Sequence, residues 1–192
     1  MSEAETLRLV YRIEGWLAIL EGLWLYRAAI KVKKGCIVEI GSWKGKSTVW
    51  LARGSQSGTK ATVYAIDPHT GSEEHKEKGT VWTYDTFLKN ITMAGVKDIV
   101  VPIVKTSEEA VKGWDKPIEL LFIDGSHEYE DVKLDFELWS PHLVKGGLIA
   151  FHDSVQGAGW KDPIKLVQER IYNNKDFTDV REICTITFAK KI

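Results

Sequence analysis

The stretch "VEIGSWKGKST", residues 38–48, decides the fold. An apolar run leads into two glycines, and a lysine and two hydroxyl residues follow the second. A strand that ends in a ligand-binding turn and restarts as a helix reads this way. The pattern is one residue short of a phosphate-binding P-loop, which has four residues between its glycines. Here three residues separate Gly41 from Gly45, and Lys46 and Ser47 follow. A phosphate cradle is a ring of backbone N–H groups and does not tolerate shortening. Glu39, two residues before the first glycine, would also repel a triphosphate.

Outward from this loop, short apolar runs alternate with helical patterns. "CIVEI" (36–40), "TVYAID" (62–67), "DIVVPIV" (98–104), "IELLFID" (118–124) and "GGLIAFHD" (146–153) read as strands. "STVWLARGSQ", "YDTFLKNITMAG", "SEEAVKGW", "YEDVKLDFELWSPHL" and "DPIKLVQERIYNN" read as the helices between and after them, and "FTDVREI" and "TITFAKK" as two closing strands. In the fourth helix Val132, Phe136, Leu138 and Trp139 are expected to face inward. Residues 4–32 predict helix, broken near Gly15, with Leu17, Leu20, Leu23 and Trp24 on the inner face. The alternation predicts an α/β fold with a mostly parallel sheet covered on both faces. No repeat or linker divides the chain, so residues 1–192 are expected to form one domain with residues 1–34 as a helical cap.

Ligands of such sheets bind beyond the carboxyl ends of the strands. Those ends carry Glu39–Gly41, Asp67, Lys105–Ser107, Asp124–His127 and His152–Asp153. An acid at the end of the second strand commonly takes ribose hydroxyls. A nucleoside ligand with a positive charge and no phosphates suits this set, and S-adenosylmethionine is one. On that reading Gly41 and Gly45 let the backbone approach the ligand, and Glu39 lies near the methionine amino group. Asp67, followed by Pro68, accepts from the ribose. The helix start after Gly45, with Ser42, Trp43 and Ser47, faces the ligand carboxylate, and Lys46 is a solvated side chain. Thr106 and Ser107 lie near the adenine, although Ser107 equally suits a helix N-cap. Trp43 is a better stacking candidate than Trp160. The same glycines also serve a tight turn that binds nothing.

Asp124, His152 and Asp153 offer two carboxylates and an imidazole to one divalent cation. Carboxylates suit Mg2+, and an imidazole shifts the preference toward Mn2+, Fe2+ or Zn2+. The alternative is that Asp153 caps its loop and His152 packs against it. His127 is placed to serve as a general base, or equally to bond Glu130 or Asp131 at the helix start. In the polar insertion "HTGSEEHKEKGT" (69–80), His69 and His75 read as solvated loop residues.

"VEIGSWKGKSTVWLA", "VYAIDPHTG" and "LLFIDGSHEYEDVKLDFELWSPHLVKGGLIAFHD" together resemble class I S-adenosylmethionine-dependent methyltransferases, in particular the group related to macrocin O-methyltransferases and cephalosporin-hydroxylase-type proteins. The resemblance runs from about residue 35 to 155. It implies a Rossmann-like seven-stranded sheet with the last strand antiparallel, and O-methylation of a small molecule. In metal-dependent relatives three ligands come from the fourth and fifth strand ends and a catalytic base lies near His127; the imidazole of His152 departs from their usual carboxylate or amide set. The hydroxylase-type members keep open a nucleoside-binding protein that does not methylate. A P-loop-like nucleotide hydrolase is the remaining alternative.

Bulk composition narrows the partners. The formal net charge of −1 over 192 residues gives no reason to expect nucleic acid. Glu21 and Arg27 interrupt the N-terminal apolar run, so no membrane span is expected there. Two cysteines, Cys36 and Cys184, with no disulfide-rich spacing and no signal peptide, suggest reduced thiols and a cytoplasmic protein. The Trp-rich N-terminal helices would cover either the sheet or the second subunit of a homodimer.

Overall fold

The computed structural model describes residues 2–71 and 80–192. The elements run α1 (Glu3–Val10), α2 (Ile19–Ile30), β1 (Cys36–Ile40), α3 (Lys46–Ser57), β2 (Val63–Ile66), α4 (Tyr84–Met93), β3 (Val100–Ile103), α5 (Ser107–Ala110), β4 (Ile118–Ile123), α6 (Tyr129–Trp139), β5 (Leu143–Phe151), α7 (Lys161–Val167), β6 (Phe177–Ile183) and β7 (Ile186–Lys191). A single 3-10 turn follows α6, and a π turn over Gln168–Tyr172 extends α7.

The seven strands lie in the order β3-β2-β1-β4-β5-β7-β6. The first five pair in parallel, and β7 is antiparallel to both β5 and β6. The expected sheet is therefore present. Strand order reverses between β1 and β4, the switch point where such sheets open a crevice for ligands.

One face of the sheet carries a core that joins α1–α4, with Leu25, Trp50, Leu51, Phe87 and Ile91 fully buried. The other face packs against α6 and α7 through Val132, Phe136, Trp139, Leu166 and Val167. Strands buried on both faces read as unbroken apolar runs. All five residues of β1 are buried, Glu39 included.

The N-terminal helix is broken where Gly15 predicted it, but its inner face differs in part from the expected one. Leu17 lies outside the helices, and Leu20 is exposed. Leu17, Leu23 and Trp24 do pack against the core, half-buried, and Gly22, Leu25, Tyr26, Ala28 and Ala29 are the more deeply buried residues of α2. Small residues let α2 approach α3 closely; a Cβ on Gly22 would stand 2.1 Å from the Trp50 indole nitrogen. Trp24 packs against Phe188 with ring centres 4.4 Å apart and planes tilted by 36°, tying α2 to β7. Cys36 is buried, Cys184 is exposed, and both are free thiols. No described helix is long and apolar enough to cross a membrane.

Candidate active site

A cavity of about 830 Å³ opens across the carboxyl ends of the strands. Gly41, Ser42, Trp43, Ser47, Asp67, Pro68, Thr106, Ser107, Asp124, His127, His152 and Asp153 all line it. Of the expected site residues, only Glu39 and Gly45 are absent from that wall.

The glycine loop is held by the acid at the tip of β2. Asp67 Oδ2 accepts from the backbone N–H groups of Ser42 (2.9 Å) and Trp43 (2.7 Å), and Oδ1 accepts from the N–H of His69 (2.6 Å). A carboxylate has about four lone-pair sites, so one is left for a ligand after these three. The turn needs glycine at both ends. Gly41 has φ +84°, and a Cβ there would stand 2.0 Å from the Asp124 carbonyl oxygen. Gly45 takes φ 88° as the N-cap of α3. Both conformations lie in the left-handed region that favours glycine.

Several expectations need correction here. Glu39 is fully buried behind the loop and does not reach the cavity. Its carboxyl accepts from Thr48 Oγ1 and ties strand to helix. Burial pushes its pKa up to about 8 against the pull of the Ser47 and Thr48 hydroxyls. Lys46 is not solvated: its Nζ donates to the Gly15 carbonyl at 2.7 Å. Lys44 pairs with Glu14 at 2.7 Å. Both lysines fasten the 11–18 segment over the mouth, so the lysine in the P-loop position is already engaged by backbone rather than by a phosphate.

Thr106, rather than Ser107, caps α5, in a reciprocal capping box with Glu109. Ser107 accepts from the Trp139 indole at 2.7 Å. His69 is buried, 2.8 Å from Thr83 Oγ1, which corrects its reading as a loop residue in water. His75 lies outside the described residues.

At the β4–β5 end the side chains face one another. His152 Nδ1 lies 3.1 Å from both Asp124 Oδ1 and Asp153 Oδ2, and Nε2 lies 3.3 Å from Glu21 Oε2. Glu21 comes from α2 and also accepts from the backbone N and Oγ1 of Thr185. Burial opposes the imidazolium, but the three surrounding carboxylates outweigh it and hold the His152 pKa far above its usual value. Burial likewise raises Glu21, yet His152 and Thr185 overcome it and bring its pKa down to about 2. Asp153 adopts φ 51°, outside the usual range for a non-glycine residue. Burial disfavours its charge, but the two imidazoles it touches hold its pKa well below the carboxylate range. Burial dominates at Asp124 and, with Asp153 nearby, raises its pKa despite His152.

Three carboxylates around one imidazolium leave excess negative charge at the cavity floor. Donor atoms of Asp124, His152 and Asp153 lie within 4.8 Å of one another. This donor set fits a divalent cation that takes the place of the proton on His152 Nδ1, and Glu21 behind His152 matches the carboxylate–histidine support common at metal sites.

His127 completes this end. Its Nε2 lies 3.2 Å from Asp153 Oδ2, rather than on Glu130 or Asp131, and its ring stacks on Trp160 at 3.9 Å with planes 5° apart. Trp160 therefore stacks on the candidate base, while Trp43 faces Trp16 at 6.2 Å. The sequence reading missed Glu21 and Asp135, whose acids are buried on helices.

The methyltransferase-domain family model matches residues 38–154. The chain belongs to this family. It is 31% identical to the y4gI protein of Sinorhizobium fredii over 135 residues, which are 69% of this chain and 14% of that protein. It is 28% identical to a catechol O-methyltransferase of Mycobacterium tuberculosis over 141 residues, 71% of this chain and 54% of that enzyme. The chain thus spans about half, or much less, of these relatives. An O-methyltransferase of Bacillus cereus, solved in complex with SAH, superposes with a TM-score of 0.70 at 20% identity, covering 98% of this chain and 90% of that one. At that identity the superposition speaks for the fold, and it agrees with the sheet expected from the sequence.

Proposed function

We propose that this methyltransferase-family chain moves a methyl group from S-adenosylmethionine to a hydroxyl oxygen of a small molecule, with His127 as the base. One observation carries the reading. A single cavity joins the Asp67-braced glycine loop to the His127–Asp153 pair. A nucleoside donor and an acceptor therefore fit in one chamber.

In this mechanism Asp67 offers its remaining lone pair to the ribose, while Gly41 lets the backbone come close. The N-terminus of α3, with Ser47, faces the methionine carboxylate. The acidic floor favours the sulfonium. Asp153 orients the His127 imidazole and Trp160 fixes its plane. His127 takes the hydroxyl proton as the new C–O bond forms and the C–S bond breaks, leaving a neutral thioether. Alignment supplies most of the acceleration, since the methyl donor is already activated. Asp124, His152 and Asp153 would hold a divalent cation, which when bound would orient the acceptor oxygen and lower its pKa.

Thermal unfolding with ligands tests the first half. S-adenosylmethionine and S-adenosylhomocysteine should each raise Tm, and ATP should not. Absence of any shift with both would end the proposal. Methyl transfer assayed on a panel of hydroxylated acceptors, with and without Mg2+ or Mn2+, tests the second half. Binding without turnover on the whole panel would favour a nucleoside-binding protein that does not methylate.

A further inference from the structure

Asp135 has no place in the mechanism above, yet it is built into the cavity. It sits on α6, is 6% exposed, and lines the chamber beside Leu134. Its Oδ2 stands 3.3 Å from where a Cβ on Gly125 would lie, so the bare glycine leaves the carboxyl uncovered. Ser107, whose hydroxyl accepts from the Trp139 indole, is the polar neighbour that holds the Asp135 pKa down. Burial pushes the Asp135 pKa up to about 7, and among the described residues no cation offsets it. A desolvated carboxyl is costly unless a ligand supplies a donor.

The wall around it says which ligand. Asp67, Pro68, Thr106, Ser107, Leu134 and Asp135 line one chamber; Asp67 is hydrogen-bonded to the end of β3, and Ser107, which follows β3, is hydrogen-bonded to Trp139 of α6. Ile66, Pro68 and Leu134 are apolar and suit the faces of a flat base. A base that follows a ribose at Asp67 thus directs its edge toward α6. Adenine offers an exocyclic amino group there.

We propose that Asp135 reads the adenine of the methyl donor by accepting a hydrogen bond from its 6-amino group. This assignment rests on the cofactor reading given above.

The test compares S-adenosylhomocysteine with the same molecule carrying unsubstituted purine in place of adenine. By titration calorimetry the wild type should bind the adenine compound about tenfold or more tightly. Asp135→Leu should bring the two affinities within about twofold. A wild-type ratio already within about twofold, or a ratio unchanged in Asp135→Leu, overturns the assignment. Should that variant not fold, a crystal structure of the wild type with S-adenosylhomocysteine decides. An Asp135 oxygen at hydrogen-bond distance from the 6-amino nitrogen, about 3 Å, supports it, and a separation beyond about 4 Å overturns it. If the wild type binds neither compound, the cofactor reading falls and takes this assignment with it. Binding with an unaltered ratio removes Asp135 alone.

Discussion

The two halves of the mouth spend their acids differently. At the β1–β2 end Asp67 accepts from three backbone amides and Glu39 from a neighbouring hydroxyl, so these acids fix the course of the chain. At the β4–β5 end Asp124, Asp153 and Glu21 face imidazoles, so the charges fix proton positions. On the proposed function the first half is a mould and the second a reactive centre. Substitutions should therefore act on affinity in one half and on rate in the other.

The strongest break of that division is His127→Ala. Turnover should fall about 100-fold or more, while S-adenosylhomocysteine affinity by calorimetry stays within about twofold. Turnover equal to wild type would place the base elsewhere. Asp67→Ala should do the reverse, weakening S-adenosylhomocysteine about 10- to 100-fold through loss of charged hydrogen bonds to ribose and loop. Unchanged affinity would show the carboxylate to be purely a brace. Glu21→Gln sharpens the second half, because it touches neither ligand. It should lower kcat about tenfold with KM little changed, the size expected for a group that supports another, and it should displace the pH–rate profile. An effect on Tm alone would make Glu21 structural.

Two smaller effects probe the mould. Lys46→Met should alter S-adenosylhomocysteine affinity by no more than about threefold, since it removes one hydrogen bond to Gly15, and ATP should still give no thermal shift. Glu39→Gln should become progressively more stabilising relative to wild type as pH rises. The Glu39 pKa is raised from 4.5 to about 8 on folding. Its native contribution is therefore complete below about 4.5 and is lost as pH climbs through about 8. Tm differences between the variants, measured from pH 4.5 to 8.5, should widen up to about pH 8 and then level. A constant difference would mean that Glu39 titrates normally.

The sheet and the strand tips were legible because buried parallel strands leave unbroken apolar runs and their ends carry short, distinctive residues. Asp67, Asp124, His127, His152 and Asp153 were all found this way. The partners of those residues were not. Glu21 and Asp135 sit in helices where an acid normally marks the wet face, and periodicity alone misreads a buried one. Glu39 was misassigned for the opposite reason, since its place beside the glycines concealed that its side chain points behind the loop. The Lys46 contact depends on how the 11–18 segment returns over the mouth, which no local pattern encodes.

Glu21 and Thr185 lie 164 residues apart. During synthesis the first helices leave the ribosome long before the closing hairpin exists, and during that interval this acid has no threonine to meet. This end of the cavity is thus assembled from segments made far apart in time. A nascent chain stalled before β6 and β7 would hold Glu21 beside His152 without the two contacts from Thr185.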